Sequence, residues 1–180
     1  MKHSLLPKKE NDDDYRILER WLREAATLLQ GIRYYAPDYR PFEELEVPGV
    51  SLLLGAAASA GYYPISEYQT QKRKTADKRR VADGRGDLWF VAGTESYAFE
   101  FKRAWNRSTE SQLHECMRLA INDAERIEAD EADHYFGAVL APVFDASDIG
   151  HYTNFSGSDY IGILADKEPE LFLFISKVAE

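Results

Sequence analysis

The sequence is poor in cysteine: Cys116 is the only one among 180 residues. An internal disulfide framework is therefore excluded, and a lone thiol suits a reducing compartment. No apolar run approaches the ~18 residues that a membrane-spanning helix needs. The opening MKHSLLPKKENDDD lacks the apolar core of a secretory signal, so a cytoplasmic location is expected. Histidine is scarce, and His114 and Cys116 have no second ligand pair nearby, so no zinc site is read. Basic residues are also short, 22 Lys and Arg against 31 Asp and Glu, a net charge of −9. Taken alone, that balance argues against nucleic acid. No repeat or low-complexity tract is present.

What is present is a core. Hydrophobic residues make up 44% and aromatic residues 13%, enough for one globular domain over 1–180. Residues 1–11 read as a flexible tail. Leu18, Trp21, Leu22, Ala25, Leu28 and Leu29 then recur at helical spacing behind an acidic start, which predicts a covering helix over 12–31 ended by Gly31. Three prolines make 32–50 a connector. Ser51–Ala60 is a short apolar helix, and Tyr62–Gln71 is a strand that Pro64 confines to an edge or a strand start. Thr109 with Gln112 fits a capping box, followed by the stripe Leu113, Cys116, Met117, Ala120, Ile121, Ala124 and Ile127. Cys116 falls on that stripe as an apolar filler. Tyr135–Phe144 is a continuous apolar run that suits a central strand. Asp145–Ser158 reads as a loop, and Tyr160–Ala165 and Leu171–Ser176 as a closing hairpin.

The stretch that organises the chain is Gly84–Trp105. Alternation places Asp87, Trp89 and Val91 on one side of a first strand, and Glu100 and Lys102 on one side of a second. Ala92–Ser96, with its glycine, is the turn between them. Charges among such β-prone aromatic neighbours are costly unless paired or bound to a metal. An ordinary Glu–Lys ion pair on a solvent-facing strand would account for the same letters. Charge is also uneven. Residues 71–86 hold seven basic and two acidic side chains, which leaves −14 on the rest. A basic run just before Asp87 suits phosphate, although such runs are commonly solvated loops. Arg85-Gly86-Asp87 spells an adhesion tripeptide, read here as coincidence.

Asp87 followed by Glu100-Phe101-Lys102 resembles the signature of the PD-(D/E)xK nuclease superfamily, the restriction-endonuclease-like fold. Gly86 stands where that signature often has proline. The resemblance covers roughly 51–145 and implies an α/β fold. Its αβββαβ core would have a mixed central sheet flanked by helices, here with an extra N-terminal helix and, within a C-terminal extension over 146–180, a C-terminal β-hairpin. A crossover through 109–127 would set the Tyr135 strand parallel to the Tyr97–Lys102 strand.

The resemblance further implies a Mg²⁺-dependent nuclease, with Mn²⁺ as substitute. Asp87, Glu100 and the Phe101 carbonyl would be metal ligands, and Lys102 would position or deprotonate the water. Glu67 is the favoured further carboxylate, with Glu46 as the other candidate, because Ser51–Ala60 holds no acid. Lys78, Arg79, Arg80 and Arg85 would meet phosphate. Gln112 matches half of a substrate-binding motif, with Cys116 where that motif has tyrosine. Expected partners are nucleic acid (DNA ahead of RNA) and a second copy of the chain, with no membrane. The alternative reading is a catalytically inactive domain of this fold that binds nucleic acid or a protein.

Overall fold

Apolar stripes and alternating runs decide the layers. The computed structural model describes residues 1–7, 13–43, 45–73, 81–105, 108–166 and 168–179. In chain order these form β1 (Lys2–Pro7), α1 (Asp13–Tyr35), α2 (Glu46–Ser59), β2 (Tyr63–Arg73), β3 (Val81–Ala92) and β4 (Glu95–Arg103). There follow α3 (Glu110–Ala124), β5 (His134–Pro142), α4 (Ala146–Thr153), β6 (Tyr160–Ala165) and β7 (Pro169–Lys177). The strands make one mixed sheet, ordered β1-β6-β7-β5-β4-β3-β2. Among the described pairings only β4 with β5 is parallel, and α3 supplies the crossover between them.

Period-two alternation sorts the side chains between two cores. Leu88, Phe90, Tyr97, Phe99, Phe101, Phe136 and Leu140 face α1 and α2. There Trp21 packs 5.0 Å from the Phe99 ring and donates its indole N–H to the Leu53 carbonyl at 2.8 Å. Burying a side chain of that size is worth roughly 2–3 kcal/mol. Val139, Ala141, Phe172 and Phe174 face the other way, onto Leu113 and Met117 of α3 and onto Tyr152 and Phe155. Gly137 lets α3 come close, because a Cβ there would stand 2.5 Å from the Ile121 backbone nitrogen. Gly137 is level with Glu100 on β4, so α3 presses down beside the candidate site.

Several expectations are corrected. The first residues are not a loose tail: Lys2–Pro7 pairs antiparallel with β6, with Leu5 buried. Gly31 does not stop α1, which runs on to Tyr35; a side chain at Gly31 would meet open space, so nothing forces an end there. Helix α2 begins at Glu46 rather than Ser51. Pro48 falls in its first turn, where a missing N–H costs nothing. Residues 145–158 are not all loop, since Asp145 and Asp148 form a capping box that starts α4. The closing hairpin, β6 with β7, joins the sheet through β7 beside β5. Among the described residues, no helix is long and apolar enough to cross a membrane.

Candidate functional site

Strand register makes the site. β3 pairs with β4 from Ala92↔Glu95 to Leu88↔Phe99 and no further, yet it stays paired with β2 down to Val81↔Arg73. From Asp87 backwards the two outer strands therefore leave β4 as a separate ribbon. Glu67, level with Asp87 on β2, drops out of the ladder and takes a left-handed φ of 50°. A non-glycine residue there stores strain of order 1–3 kcal/mol.

The departure of β3 leaves two β4 N–H groups facing a gap, and carboxylates take both. Asp87 Oδ2 accepts from Phe101 N–H at 2.7 Å, and the Glu46 carboxylate accepts from Arg103 N–H. In a strand the N–H and C=O of one residue point the same way. The Phe101 carbonyl therefore opens into the gap that Asp87 and Glu46 flank. Glu100 and Lys102 stand on the α3 face of the same strand. Lys102 Nζ is 2.7 Å from Asp123 Oδ2 of α3, and Lys72 Nζ of β2 donates to Glu100 Oε1 at 2.7 Å.

Comparison of the chain with protein-family models, curated proteins and solved structures finds no match.

The electrostatics follow from burial and crowding. Burial and the neighbouring Asp87 charge push Glu100 up to about 7, against the pull of Lys72. Burial raises Asp87 despite its Phe101 hydrogen bond and two lysines. Burial and Asp87 also raise Glu46. For Lys102 burial acts to lower the pKa, but Asp123, Asp87 and Glu46 outweigh it and hold the ammonium above its usual value. A lysine so held keeps its proton at neutral pH. It can orient a water or a phosphate oxygen, but it is unsuited to deprotonate one. Among the described residues, no three His, Cys, Asp or Glu side chains stand close enough to form a metal cage by themselves.

Glu67 is exposed and meets Arg85 at 3.5 Å, yet its charge still raises both Asp87 and Glu46, while Glu46, the other candidate, is brought to the gap because α2 starts five residues earlier than the sequence suggests. Lys78, Arg79 and Arg80 lie outside the described residues. The described cations of that run are already engaged: Lys72 with Glu100, Arg73 with Glu128 and Arg85 with Glu67. Gln112 is occupied in the capping box, its Oε1 accepting from Thr109 N–H at 2.8 Å.

Sequence reasoning missed Lys72, Asp123 and Tyr68. Tyr68 and Thr70 alternate on one face of the stretch expected as a strand, and Lys72 continues that face just past the expected end at Gln71, where the charged run begins. Asp123 lies off the apolar stripe of α3 and has no local signal. Tyr68 lies across Gly86, where a Cβ would stand 2.2 Å from its ring. Proline, or any side chain, is therefore excluded from Gly86 unless Tyr68 moves. The Tyr68 hydroxyl is buried with no hydrogen-bond partner among the described residues. Burial and the nearby Glu100 and Glu131 raise its pKa strongly.

Proposed function

We propose that the chain is a Mg²⁺-dependent nuclease of the PD-(D/E)xK kind, acting at the gap between β3 and β4. The observation that carries the reading is the splay at Leu88↔Phe99, which gathers Asp87, the Phe101 carbonyl and Glu46 on one strand edge beside Glu100 and Lys102. The element order α2-β2-β3-β4-α3-β5 supports the restriction-endonuclease-like core.

The donor set fits the ion. Mg²⁺ takes one or two carboxylates and completes its shell with water and phosphate oxygens, so a full protein cage is not required. The Asp87 charge crowds Glu100, a repulsion that a cation between the two would relieve, and the Lys72 ammonium on Glu100 is a stand-in for one. Asp87, Glu100 and the Phe101 carbonyl would hold Mg²⁺, with Glu46 beside them. When bound, the ion supplies Lewis-acid polarisation of a phosphoryl group and a more acidic water. Lys102, fixed by Asp123, keeps its proton and orients the attacking water or a non-bridging oxygen. Asp87 holds the Phe101 peptide in place through its hydrogen bond.

One observation favours the non-cutting alternative: the Lys72 ammonium already pairs with the Glu100 carboxylate. Calorimetric titration with Mn²⁺ and a cleavage assay separate the two readings. Wild type should bind Mn²⁺ and Asp87→Ala should not. Lys102→Ala should keep the fold and lose about 10²–10⁴ in cleavage rate. Equal Mn²⁺ binding by wild type and Asp87→Ala would sink the metal assignment. A wild type that binds Mn²⁺ but cuts neither DNA nor RNA would leave a binding domain.

A further inference from the structure

The end of the gap is apolar, which is unexpected for a site that meets only phosphates. Trp105 follows β4 directly and is 68% exposed. Leu45 and Val47, on either side of Glu46, are exposed at 62% and 64%. Arg103 ties these pieces together. It is only 8% exposed, its Nε donates to the Phe42 carbonyl at 3.0 Å, and another of its N–H groups donates to the Glu43 carbonyl. Its backbone N–H goes to Glu46. Its guanidinium carbon lies 4.9 Å from the Trp105 ring centroid, and Nη1 has no hydrogen-bond partner among the described residues.

Trp105 is thus an indole held from one side by a fixed cation and open on the other. The Trp105 carbonyl accepts from both the N–H and the hydroxyl of Ser108. Two residues of extended backbone, about 7 Å, separate Trp105 from the Arg103 N–H that Glu46 takes. A polymer whose phosphodiester lay in the gap would bring an adjoining nucleotide to the indole.

We infer that Trp105 is a stacking platform for an unpaired nucleobase, and that the site takes single-stranded nucleic acid or a frayed end in preference to intact duplex. The inference rests on the nuclease reading above. A duplex hides its base faces in its own stack and offers this rim only sugar and phosphate. A single strand offers a π-face at every nucleotide, and base–aromatic stacking tolerates any sequence. The Arg103 charge beneath the ring strengthens the platform, since a cation and a base then sandwich the indole.

The test is fluorescence anisotropy in EDTA with the full chain, using a labelled oligothymidylate and a labelled blunt duplex of equal length. Wild type should bind the single strand more tightly than the duplex. Trp105→Ala should weaken single-strand binding by roughly 5- to 150-fold, the range for one lost base stack, and leave duplex binding unchanged. Trp105→Phe should restore most of the loss. Circular dichroism should show an unaltered fold, because the ring is exposed. Single-strand affinity that is the same in Trp105→Ala as in wild type overturns the inference, as does an equal loss on both probes. If the wild type still binds Mn²⁺ and cuts, the stacking inference alone has failed. If it binds neither probe and no Mn²⁺, both readings fall, and the rim is a protein-facing surface.

Discussion

Glu100→Gln should make the protein more stable at pH 8. The fold buries Glu100 beside Asp87 and holds its proton up to about 7, whereas an unfolded chain releases it near 4.5. Between those values the unfolded state binds fewer protons than the folded state, so stability falls as pH rises. The gap corresponds to ~3 kcal/mol, lost between about pH 4.5 and pH 7 and absent above it. Glutamine mimics the protonated carboxyl at every pH and should recover that amount. Because Lys72 loses its carboxylate partner in the variant, ~3 kcal/mol is an upper bound on the gain.

Urea unfolding followed by circular dichroism at pH 4 and pH 8 checks this directly. At pH 4 the two proteins should be nearly equal, and at pH 8 the variant should have the higher midpoint with the same slope. A variant less stable than wild type at pH 8 would refute the reasoning, because the Lys72 ion pair would then outweigh burial and repulsion from Asp87. Adding Mn²⁺ to wild type should reverse the order: an ion at a thousand times its Kd contributes about 4 kcal/mol, and the variant should gain much less.

Two further outcomes follow from the same geometry. Gly86→Ala should destabilise the fold by about 1–3 kcal/mol in urea unfolding, because its Cβ would meet the Tyr68 ring at 2.2 Å, and should slow any cleavage by shifting the ribbon. Lys72→Met should tighten Mn²⁺ binding in calorimetry, since the ion no longer competes with the ammonium on Glu100; weaker binding would mean that Lys72 supports the site rather than occupying it.

Much of the layer order was legible because it rests on periodicity. The alternation of Asp87, Trp89 and Val91 against Leu88, Phe90 and Ala92 survives in the register, where Leu88 faces Phe99 and Trp89 faces Ala98. The capping box at Thr109 and the edge position of Pro64 follow from equally local rules, and the parallel β4–β5 pair from the crossover through α3 that the resemblance implies. What was not legible depends on distance in space. Nothing near Lys2 says that it will face Ala165, and nothing near Asp123 says that a lysine 21 residues earlier will find it. The acid-free stretch Ser51–Ala60 hides the fact that α2 starts at Glu46, because Pro48 falls in the connector read over 32–50, although a proline in a first helical turn is no break at all.

The glycines before Asp87 carry the last step. Gly84 and Gly86 lie two residues apart on β3, so both leave one face of that strand bare. The β2 side chains lie across it: Tyr68 covers Gly86, and the Lys72 stem covers Gly84, where a Cβ would stand 3.0 Å from its Cδ. Because the floor is bare, a lysine on the outermost strand can reach over β3 and place its ammonium on Glu100 of β4. Lys72 also bridges to Ile127, and the next residue, Arg73, donates its N–H to the Arg126 carbonyl at 2.8 Å, while Glu131 takes Gln71 N–H. The ribbon that leaves β4 is therefore tied to the segment after α3. Its departure opens the strand edge that Asp87 and Glu46 line, and its return closes the opposite side with a cation. Gly84→Val would block the Lys72 stem without touching a carboxylate, and Gly86 of the Arg85-Gly86-Asp87 tripeptide is kept bare by the Tyr68 ring that lies over it.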